Sequence, residues 1–370
     1  MARQTGASSN EMWVDGQKHN SGSLMFMVGG PLHVPRMDRT RYSPREFRET
    51  DFDALAAIQN AVEPDEPLSA ESLRHMIQSF LQSSKSHQIV VEDRRSGEVV
   101  GAAAIFTMPF ESDPTKQWIV GNVLPSRQRE GIGSYLYDTL LAEARQRDAT
   151  GLRCQVRENS AAGRAFLAKR AFRESRRIWR SSLEVASADT SQLASLVRSV
   201  TSGGIQFTTL SREGANDLQV LKRVHDLDAV TGRDVPRDGT YTPLSFEQFR
   251  RFFLEGENFL PDAWFLAKDG DQYVGISSGA REPAQPQVLQ QYYTGVRLEF
   301  RRRKIALALK LMLIDFAKRN GYARIETSND SLNAPMWTLN QELGFRKVRE
   351  VIQLECDLGD ATEAQGPAGH

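Results

Sequence analysis

The sequence predicts a mixed α/β fold that is built twice along one chain. The first observation is an internal repeat, because landmarks in one half recur in the other half at a constant spacing of 173 residues. The paired landmarks are Gly97 and Gly270, Val123 and Val296, Leu136 and Leu309, Leu140 and Leu313, and Phe172 and Phe345. The second observation is that each copy places a polar loop between an apolar strand and a long amphipathic segment. A repeat of this length indicates two copies of one domain and not a short-period solenoid.

The first part of each copy consists mainly of strands. An opening strand is predicted at RYSPREF in the first copy and at IQFTTL in the second, and a helical region follows each. The runs IVVEDRRSGEVVGAAAIF and WFLAKDGDQYVGISSG predict β-hairpins, because a turn with glycine separates two apolar stretches. A third strand is predicted at WIVGNV and at LQQYYTGV.

The second part of each copy alternates helices and strands. A long helix is predicted after the polar loop, since apolar residues recur there at i and i+4. A strand follows at LRCQV and at ARIETS, then a shorter helix, and then a closing strand pair after the dipeptides AF and GF. One β-loop-α crossover among hairpins predicts a mixed, mostly antiparallel sheet with flanking helices.

The repeat also predicts the domain limits. We expect one domain at 41–187 and a second at 204–357, with a linker at 188–203 that ends in TSGG. Residues 1–40 are rich in Gly, Ser, Asn and Gln without any period, so we expect a flexible extension there. A loose tail is expected at 358–370.

The composition narrows the function and the compartment. The chain is 40% hydrophobic and 25% charged, which is typical of soluble domains with real cores. The 47 basic residues balance 47 acidic residues, and this argues against broad nucleic-acid binding. No apolar run approaches the ~18 residues of a membrane span. Cys154 and Cys356 lie far apart and in no metal-ligand spacing, so we expect no metal and a reducing, cytoplasmic compartment.

The polar loop of the first copy, QREGIG at 128–133, predicts an anion site. A helix start offers unpaired N–H groups and a partial positive charge, and glycines there let an anion approach the backbone. The candidate ligand is a phosphate or pyrophosphate, and the alternative is a tight turn without a ligand. A dinucleotide-binding G-x-G-x-x-G is absent, because SYLY follows Gly133, and the P-loop signature is absent too.

The stretch VLPSRQREGIG resembles the V-x-P-x-x-[QR]-x-x-G-x-[GA] signature of the GNAT superfamily of acetyltransferases. Gln128, Gly131 and Gly133 occupy its key places. The second copy carries TGVRLEFRRRKIA, with Arg301 and Ala306 at the corresponding ends. It also carries TSNDSLNAPMWTLNQELGF, which is similar to the closing segment of the family. The tandem layout is similar to that of mycothiol synthase and related double-GNAT proteins.

The resemblance implies two GNAT-like domains that use acetyl-CoA as co-substrate. It implies that pantetheine pairs with the strand before the loop and that the loop N–H groups bind the pyrophosphate. The implied cofactor-binding residues of the first copy are Val123, Gln128, Arg129, Glu130, Gly131, Ile132, Gly133 and Ser134. Those of the second copy are Val296, Arg301, Arg302, Lys304, Ala306 and Asn333. The implied reaction is direct attack of an amine on the thioester carbon, with a backbone N–H stabilising the oxyanion.

The second copy departs from the signature at Lys304, which stands where the loop glycine belongs. A lysine there is expected to crowd the pyrophosphate, and a positive φ would strain it. Alternatively, the cationic run at 301–304 grips phosphates with side chains in place of bare backbone. A third interpretation is a solvated basic face on the helix.

The catalytic residues are not evident from the sequence. Many family members carry a tyrosine as general acid seven residues after the asparagine of the closing segment, and here Leu167 and Asn340 occupy those positions. Neither side chain can protonate a thiolate. The strand WIVGNV carries no carboxylate that could act as general base.

Four weak catalytic candidates lie in the second copy. Glu326 lies on the strand after the long helix, where its side chain could face away from the cleft. Tyr292 and Tyr293 are adjacent on the strand before the loop, so alternation is expected to send one to each face of the sheet. Asp226 belongs to the motif HDLDAV on an early helix, a region that contacts the acceptor in many relatives.

Two classes of function follow from these observations. The leading hypothesis is an acetyl-CoA-dependent N-acetyltransferase that acts on a primary amine of a small molecule or peptide. The alternative is a degenerate acyl-CoA-binding or sensor protein with little or no transferase activity. We expect a monomer in which the two copies mimic the dimer of single-domain relatives, with no nucleic-acid or membrane partner.

Overall fold

The computed structural model describes residues 36–81, 86–108, 113–236 and 241–359. The extension predicted at 1–40 therefore lies outside the described residues except for 36–40. The tail predicted at 358–370 lies outside them except for 358–359.

The described part of the first copy follows the predicted order of strands and helices. Its elements are β1 (Tyr42–Glu46), α1 (Phe52–Val62), α2 (Ala70–Leu81), β2 (His87–Asp93), β3 (Val99–Phe106), β4 (Lys116–Val123), α3 (Ile132–Gln146), β5 (Gly151–Arg157), α4 (Ala161–Ala168) and β6 (Arg173–Glu184). Helix α5 (Leu193–Ser202) then occupies the segment predicted to be a linker. Its Leu196 and Val200 are buried in the core of the second copy, because they lie on one face of the helix.

The second copy repeats this order. Its elements are β7 (Ile205–Thr209), α6 (Leu210–Glu213), α7 (Leu218–Gly232), α8 (Phe246–Phe249), β8 (Trp264–Asp269), β9 (Gln272–Arg281), β10 (Val288–Val296), α9 (Ile305–Arg319), β11 (Arg324–Asp330), α10 (Ala334–Glu342) and β12 (Arg346–Asp357). A π-helical turn (Arg250–Leu254) extends α8.

The backbone repeats with the same spacing as the sequence. Helices α3 and α9, strands β5 and β11, and strands β6 and β12 begin and end 173 residues apart, as Ile132 and Ile305 show. The left-handed residues recur at the same spacing. Their pairs are Gly97 and Gly270, Arg129 and Arg302, Gly131 and Lys304, Asp148 and Gly321, and Ala171 and Gly344. The predicted tandem repeat is therefore present in the fold as well.

The two copies share one twelve-stranded sheet. Its strand order is β1-β2-β3-β4-β5-β12-β6-β11-β10-β9-β8-β7. The closing strands are exchanged: β12 of the second copy pairs with β5, with Leu354 opposite Cys154. Strand β6 of the first copy pairs with β11, with Ser181 opposite Thr327. Each copy thus completes the sheet of the other, and β6 and β12 pair with each other at the centre.

Helices cover both faces of this sheet. We call the side covered by α3, α4, α5, α9 and α10 the front face, and it contains the two largest hydrophobic cores. The side covered by α1, α2, α6, α7 and α8 is the back face, with smaller cores. The mixed α/β architecture with flanking helices confirms the predicted fold class.

One opening lies between strands in each copy. Strand β4 pairs with β5 only from Lys116 to Trp118, and β10 pairs with β11 only from Val288 to Gln290. Beyond these short parallel ladders the strands diverge. We call the space between 119–123 and 154–157 the first cleft, and that between 291–296 and 327–330 the second cleft.

Candidate active site

The loop after β4 has the geometry of an anion site. Arg129 (φ 67°) and Gly131 (φ 82°) are left-handed, and α3 begins immediately afterwards at Ile132. No side chain caps this helix start, so its first N–H groups stay available to a ligand. Gln128 Nε2 donates to the carbonyl of Val123 at 3.3 Å and ties the loop to the end of the strand.

The loop after β10 keeps the same shape despite its different sequence. Arg302 (φ 59°) and Lys304 (φ 60°) are left-handed, and α9 begins at Ile305, again without a side-chain cap. Arg301 Nε donates to the carbonyl of Val296 at 3.1 Å, as Gln128 does in the first copy. Lys304 therefore does not prevent the loop conformation, although a left-handed residue with a Cβ costs about 1–2 kcal/mol.

Replacement of Lys304 by glycine should release this strain. We expect Lys304→Gly to be more stable than Lys304→Ala by about 1 kcal/mol, because alanine removes the same charge but keeps the Cβ. Urea unfolding of both variants measures the difference. Equal free energies of unfolding would contradict the assigned strain.

The cationic run is only partly available to a ligand. Arg301 pairs with Asp234 at 2.6 Å, and Arg303 donates to the carbonyl of Gly203 at 2.8 Å. Within the described residues, Arg302 and Lys304 make no ion pair or hydrogen bond through their side chains. All four residues of the run are exposed, and these two cations are the ones left without a partner among the described residues.

Several residues predicted to bind the cofactor have structural contacts of their own. Glu130 accepts hydrogen bonds from Arg41 Nη1 at 3.0 Å and from the Tyr42 hydroxyl at 2.5 Å, so its carboxylate turns toward β1. Burial and the bond to Glu130 raise the pKa of Tyr42 to about 12. Asn333 accepts from the N–H of Met336 at 3.3 Å and thereby caps α10.

The remaining predicted residues divide between core and loop. Ile132 and Val296 are buried, and Val123 and Ala306 pack against the front-face cores. At Gly133 an added Cβ would lie 3.6 Å from the ring of Phe166.

Arg170 is a loop contact that the sequence did not reveal. Its Nη2 donates to Ser134 Oγ at 3.1 Å, and its guanidinium lies 3.6 Å from the centre of the Phe166 ring. Burial lowers the pKa of Arg170. No carboxylate of the described residues lies within ion-pair distance, so a cation stands at the start of α3 beside the loop. No motif marks this position, because Leu343 takes it in the second copy.

The front side of the second cleft is lined by polar groups. Lys310, buried on α9, donates to Gln291 Oε1 at 2.8 Å, and Gln291 Nε2 donates to Thr294 at 2.9 Å. Across the cleft, Asn340 Nδ2 donates to Asn329 Oδ1 at 3.2 Å. Burial lowers the pKa of Lys310 to about 7. The sequence did not predict this polar lining, because Lys310 occupies an ordinary position in the pattern of the helix.

The two adjacent tyrosines do not alternate between faces as predicted. Strand β10 contains a β-bulge, since Gln291 pairs with Gly279 and Tyr293 with Ser278, which leaves Tyr292 unpaired. Tyr292 contacts Phe253 at 6.1 Å between ring centres, and Tyr293 packs against the same back-face core. The prediction was wrong because a bulge breaks the period of two.

The other two catalytic candidates lie in different surroundings. Glu326 is buried on the back face, 3.8 Å from Arg180 and 3.7 Å from Arg324. The Asp226 side chain is 72% exposed and lies 3.7 Å from His225, on the outer side of α7. The structure therefore places Tyr292 at the second cleft, Glu326 in the short ladder next to it, opposite Gln290, and Asp226 at the surface.

The back side of the first cleft is crossed by a chain of hydrogen bonds. Asn122 Nδ2 on β4 donates to Gln59 Oε1 at 2.7 Å, and Gln59 Nε2 donates to Glu63 at 2.9 Å. Arg157 on β5 donates to the same Glu63 oxygen at 2.9 Å. These four side chains connect the two diverging strands through α1.

In the described part of the chain, the cysteines and the possible metal ligands form neither a reactive thiol site nor a metal site. Burial raises the pKa of Cys154 to about 12 and that of Cys356 to about 11, so both thiols are protonated near neutral pH. No group of three His, Cys, Asp or Glu side chains among the described residues is placed to hold a metal. None of the helices described has the length and apolar composition that crossing a bilayer requires.

Both copies of this mixed α/β fold thus repeat the same arrangement, in which diverging strands lead into a left-handed loop and a helix start without a side-chain cap. The model of the acetyltransferase (GNAT) family matches residues 52–172 and 229–345, more than half of the chain. The chain belongs to this family. The predicted pair of GNAT domains is thereby confirmed.

Solved structures support the same fold. The chain is similar to a tandem GNAT protein from the clavulanic acid biosynthesis pathway, at 19% identity and a TM-score of 0.66, over 89% of this chain and 100% of that one. It is also similar to a GCN5-related N-acetyltransferase from Sphaerobacter thermophilus, at 20% identity and a TM-score of 0.61, over 87% and 96%. No curated protein sequence matches the chain.

Proposed function

We propose that the protein is an acetyl-CoA-dependent N-acetyltransferase that transfers acetyl directly to a primary amine of a small molecule or peptide. The observation that carries this proposal is the repeated juxtaposition of a cleft and an uncapped helix start. The left-handed residues Gly131 and Lys304 shape both loops alike, and N–H groups at a helix start suit a pyrophosphate.

Different residues of each copy would bind different parts of acetyl-CoA. Among the described residues, no strand pairs with 119–123 or 291–296 on the cleft side. Apart from the carbonyls of Val123 and Val296, which accept from Gln128 and Arg301, the backbone groups there would pair with the pantetheine amides. The loop N–H groups, with Arg170 in the first copy and Arg302 in the second, would hold the phosphates. Acetyl-CoA supplies an activated thioester carbon, which the acceptor amine attacks.

We further propose that the second copy performs the chemistry. The series of hydrogen bonds that joins Asn122 to Arg157 closes the back side of the first cleft. This is the side from which an acceptor would enter. The second cleft has polar groups on its front side and a cavity on its back side. The first copy would then bind acetyl-CoA without turnover. Since the copies exchange closing strands, we propose that the chain acts as a monomer.

Titration calorimetry with acetyl-CoA tests the assignment of the loops. We expect two molecules per chain, and one per chain in Gly131→Leu, because the branched, apolar leucine would strain the loop and cover its N–H groups. Lys304, at the equivalent position of the second loop, has a flexible cationic side chain that can turn toward a phosphate. Gly97→Leu is the matched control: Gly97 is also left-handed (φ 72°), but open space surrounds it. The control should lose similar stability and keep both sites.

The number of acetyl-CoA molecules bound per chain also distinguishes two other outcomes. One site in the wild type that Gly131→Leu abolishes would mean that Lys304 disables the second loop. Two sites in Gly131→Leu would contradict the assignment of the first loop.

A degenerate acyl-CoA-binding protein is the second candidate. It is favoured by the two residues at the positions where many family members carry a general-acid tyrosine. These residues, Leu167 and Asn340, are buried and cannot act as the general acid. Under this hypothesis acetyl-CoA binds, but no amine of a broad panel accelerates release of CoA. Acceleration by any amine would exclude it.

A further inference from the structure

A cavity of about 250 Å³ opens on the back face beside the second cleft. Its floor includes Tyr292, the bulge residue of β10, which therefore links the cavity to the cleft. One wall is the segment after α8, with Phe252, Phe253 and Phe259. The opposite wall comes from the first copy and includes Met76 of α2. The cavity is thus completed only by both copies together.

Four phenylalanine and tyrosine rings line this cavity, those of Phe252, Phe253, Phe259 and Tyr292. The Phe253 ring lies 6.1 Å from the ring of Tyr292 and 6.1 Å from that of Phe252, with tilted planes. The β-bulge turns Tyr292 to this side of the sheet, and 44% of this residue is exposed. Such an enclosure suits a flat apolar group and also the cation–π attraction of an ammonium.

One carboxylate in the cavity has no cationic partner. Glu282 accepts a hydrogen bond from the N–H of Ala284 at 3.3 Å, and no Lys, Arg or His of the described residues lies within 4.0 Å of it. Burial raises the pKa of Glu282, while Arg180 at longer range lowers it and Glu257 raises it. The other lining acid, Glu255, pairs with Arg250 at 3.2 Å. An anionic group among aromatic rings selects a cation over a carboxylate ligand.

We propose that this cavity is the acceptor site of the second copy and takes arylalkylamines, with the aromatic body among the phenylalanines and the ammonium on Glu282. This proposal rests on the proposed function, whose acceptor class it names. In this arrangement Met76 and its neighbours on α2 of the first copy determine which amines the second copy accepts. The tandem arrangement then contributes directly to acceptor specificity.

The chemical step balances without any further reactant. The ammonium gives one proton to the Glu282 carboxylate, which passes it to solvent. The free amine attacks the thioester carbon, a C–N bond forms and the C–S bond breaks. The nitrogen loses its second proton as the CoA thiolate leaves, and the thiolate takes up one proton. The products are an N-acetylated amine and CoA thiol.

The probe for this site is 2-phenylethylamine, with two matched ligands. Butylamine keeps the ammonium without the ring, and 3-phenylpropionate keeps the ring with the opposite charge. We expect 2-phenylethylamine to bind the full chain at least about tenfold more tightly than either ligand, measured by calorimetry without acetyl-CoA. Equal affinity of 2-phenylethylamine and butylamine would overturn the aromatic assignment.

Two pairs of variants test the walls and the charge. Glu282→Gln should weaken 2-phenylethylamine binding at least about tenfold, while Glu342→Gln, an exposed acid at the end of α10 and outside the cavity, should not change it. Met76→Trp should block binding from the first-copy wall, and Glu71→Trp on the same helix should not. Wild-type affinity in both Glu282→Gln and Met76→Trp would overturn the proposal.

Measurements of turnover distinguish a failure of the acceptor cavity from a failure of the proposed transferase activity. If amines outside this class are acetylated and the cavity variants do not change their kcat/KM, the transferase stands and the acceptor cavity is refuted. If 2-phenylethylamine binds with dependence on Glu282 and acetyl-CoA binds, but no CoA thiol is released, the cavity is confirmed as an amine site and the transferase activity is refuted.

Discussion

The first copy expressed alone as residues 36–187 is expected not to persist as a folded monomer. Among the described residues, β6 (Arg173–Glu184) pairs only with β11 and β12, which both belong to the second copy. Within the fragment, β6 has no strand beside it and β5 loses β12. Both strands would present rows of unpaired N–H and C=O groups, which promote association with other chains.

The same fragment would also lose apolar burial. Leu183 and Val185 are packed in the front-face core of the second copy, and Ile352 and Leu354 of β12 are packed in that of the first. Each such side chain contributes about 1.5–3 kcal/mol when buried. The sum is comparable to the usual net stability of a domain, about 5–15 kcal/mol.

Light scattering after size-exclusion chromatography measures this effect. We expect dimers or larger species for 36–187, and recovery of a one-to-one complex when 188–359 is co-expressed. The matched control is the full chain cleaved at an inserted protease site near Asp189, which should stay associated as one particle. A soluble, cooperatively folding monomer of 36–187 would contradict the importance of strand exchange.

Replacement of Lys310 by methionine is expected to stabilise the protein, most strongly at acidic pH. Burial holds the pKa of Lys310 at about 7, below the ordinary lysine value of 10.5. The unfolded chain therefore binds an additional proton between these two values, and stability rises with pH across this window. Below pH 7 the penalty is complete, at about 4–5 kcal/mol from 1.36 kcal/mol per pKa unit. Loss of the bond to Gln291 offsets about 1–2 kcal/mol.

Urea unfolding at two pH values checks this expectation. Lys310→Met should exceed the wild type by about 3 kcal/mol at pH 6 and by little at about pH 9.5. Lys169→Met, at an exposed position, serves as the control and should show no such pH dependence. If Lys310→Met were destabilised at both pH values, the lysine would be a structural donor and not a buried group held near neutrality.

The loops illustrate what local sequence predicts well. Gly131 marks a left-handed helix start because glycine tolerates positive φ, and the repeat placed Lys304 at the equivalent backbone position. The hairpins, the long helices and the family resemblance depend likewise on residues close together in the chain. The helix at α5 could have been found too, since its apolar residues recur on one face.

The cleft surroundings were harder to predict. The bulge at Tyr292 changes which face a side chain takes, and it arises from the pairing of β10 with β9. The closure of the first cleft needs Gln59 on α1 to meet Asn122 on β4, two residues far apart in sequence. The burial of Lys310 depends on how α9 packs against β9 and β10.

Local patterns in the sequence were enough to predict the tandem α/β repeat, the polar loops before the long helices and the resemblance to the GNAT family, because periodicity, glycine positions and short motifs are local properties of the chain. Three features could be seen only once the chain was folded: the exchange of the closing strands, the hydrogen bonds across the first cleft and the cavity with Glu282 between the copies. Those features depend on contacts between segments roughly 60 to 240 residues apart, such as Lys116 with Glu355. Such contacts are set by packing of the whole sheet, which no local pattern records.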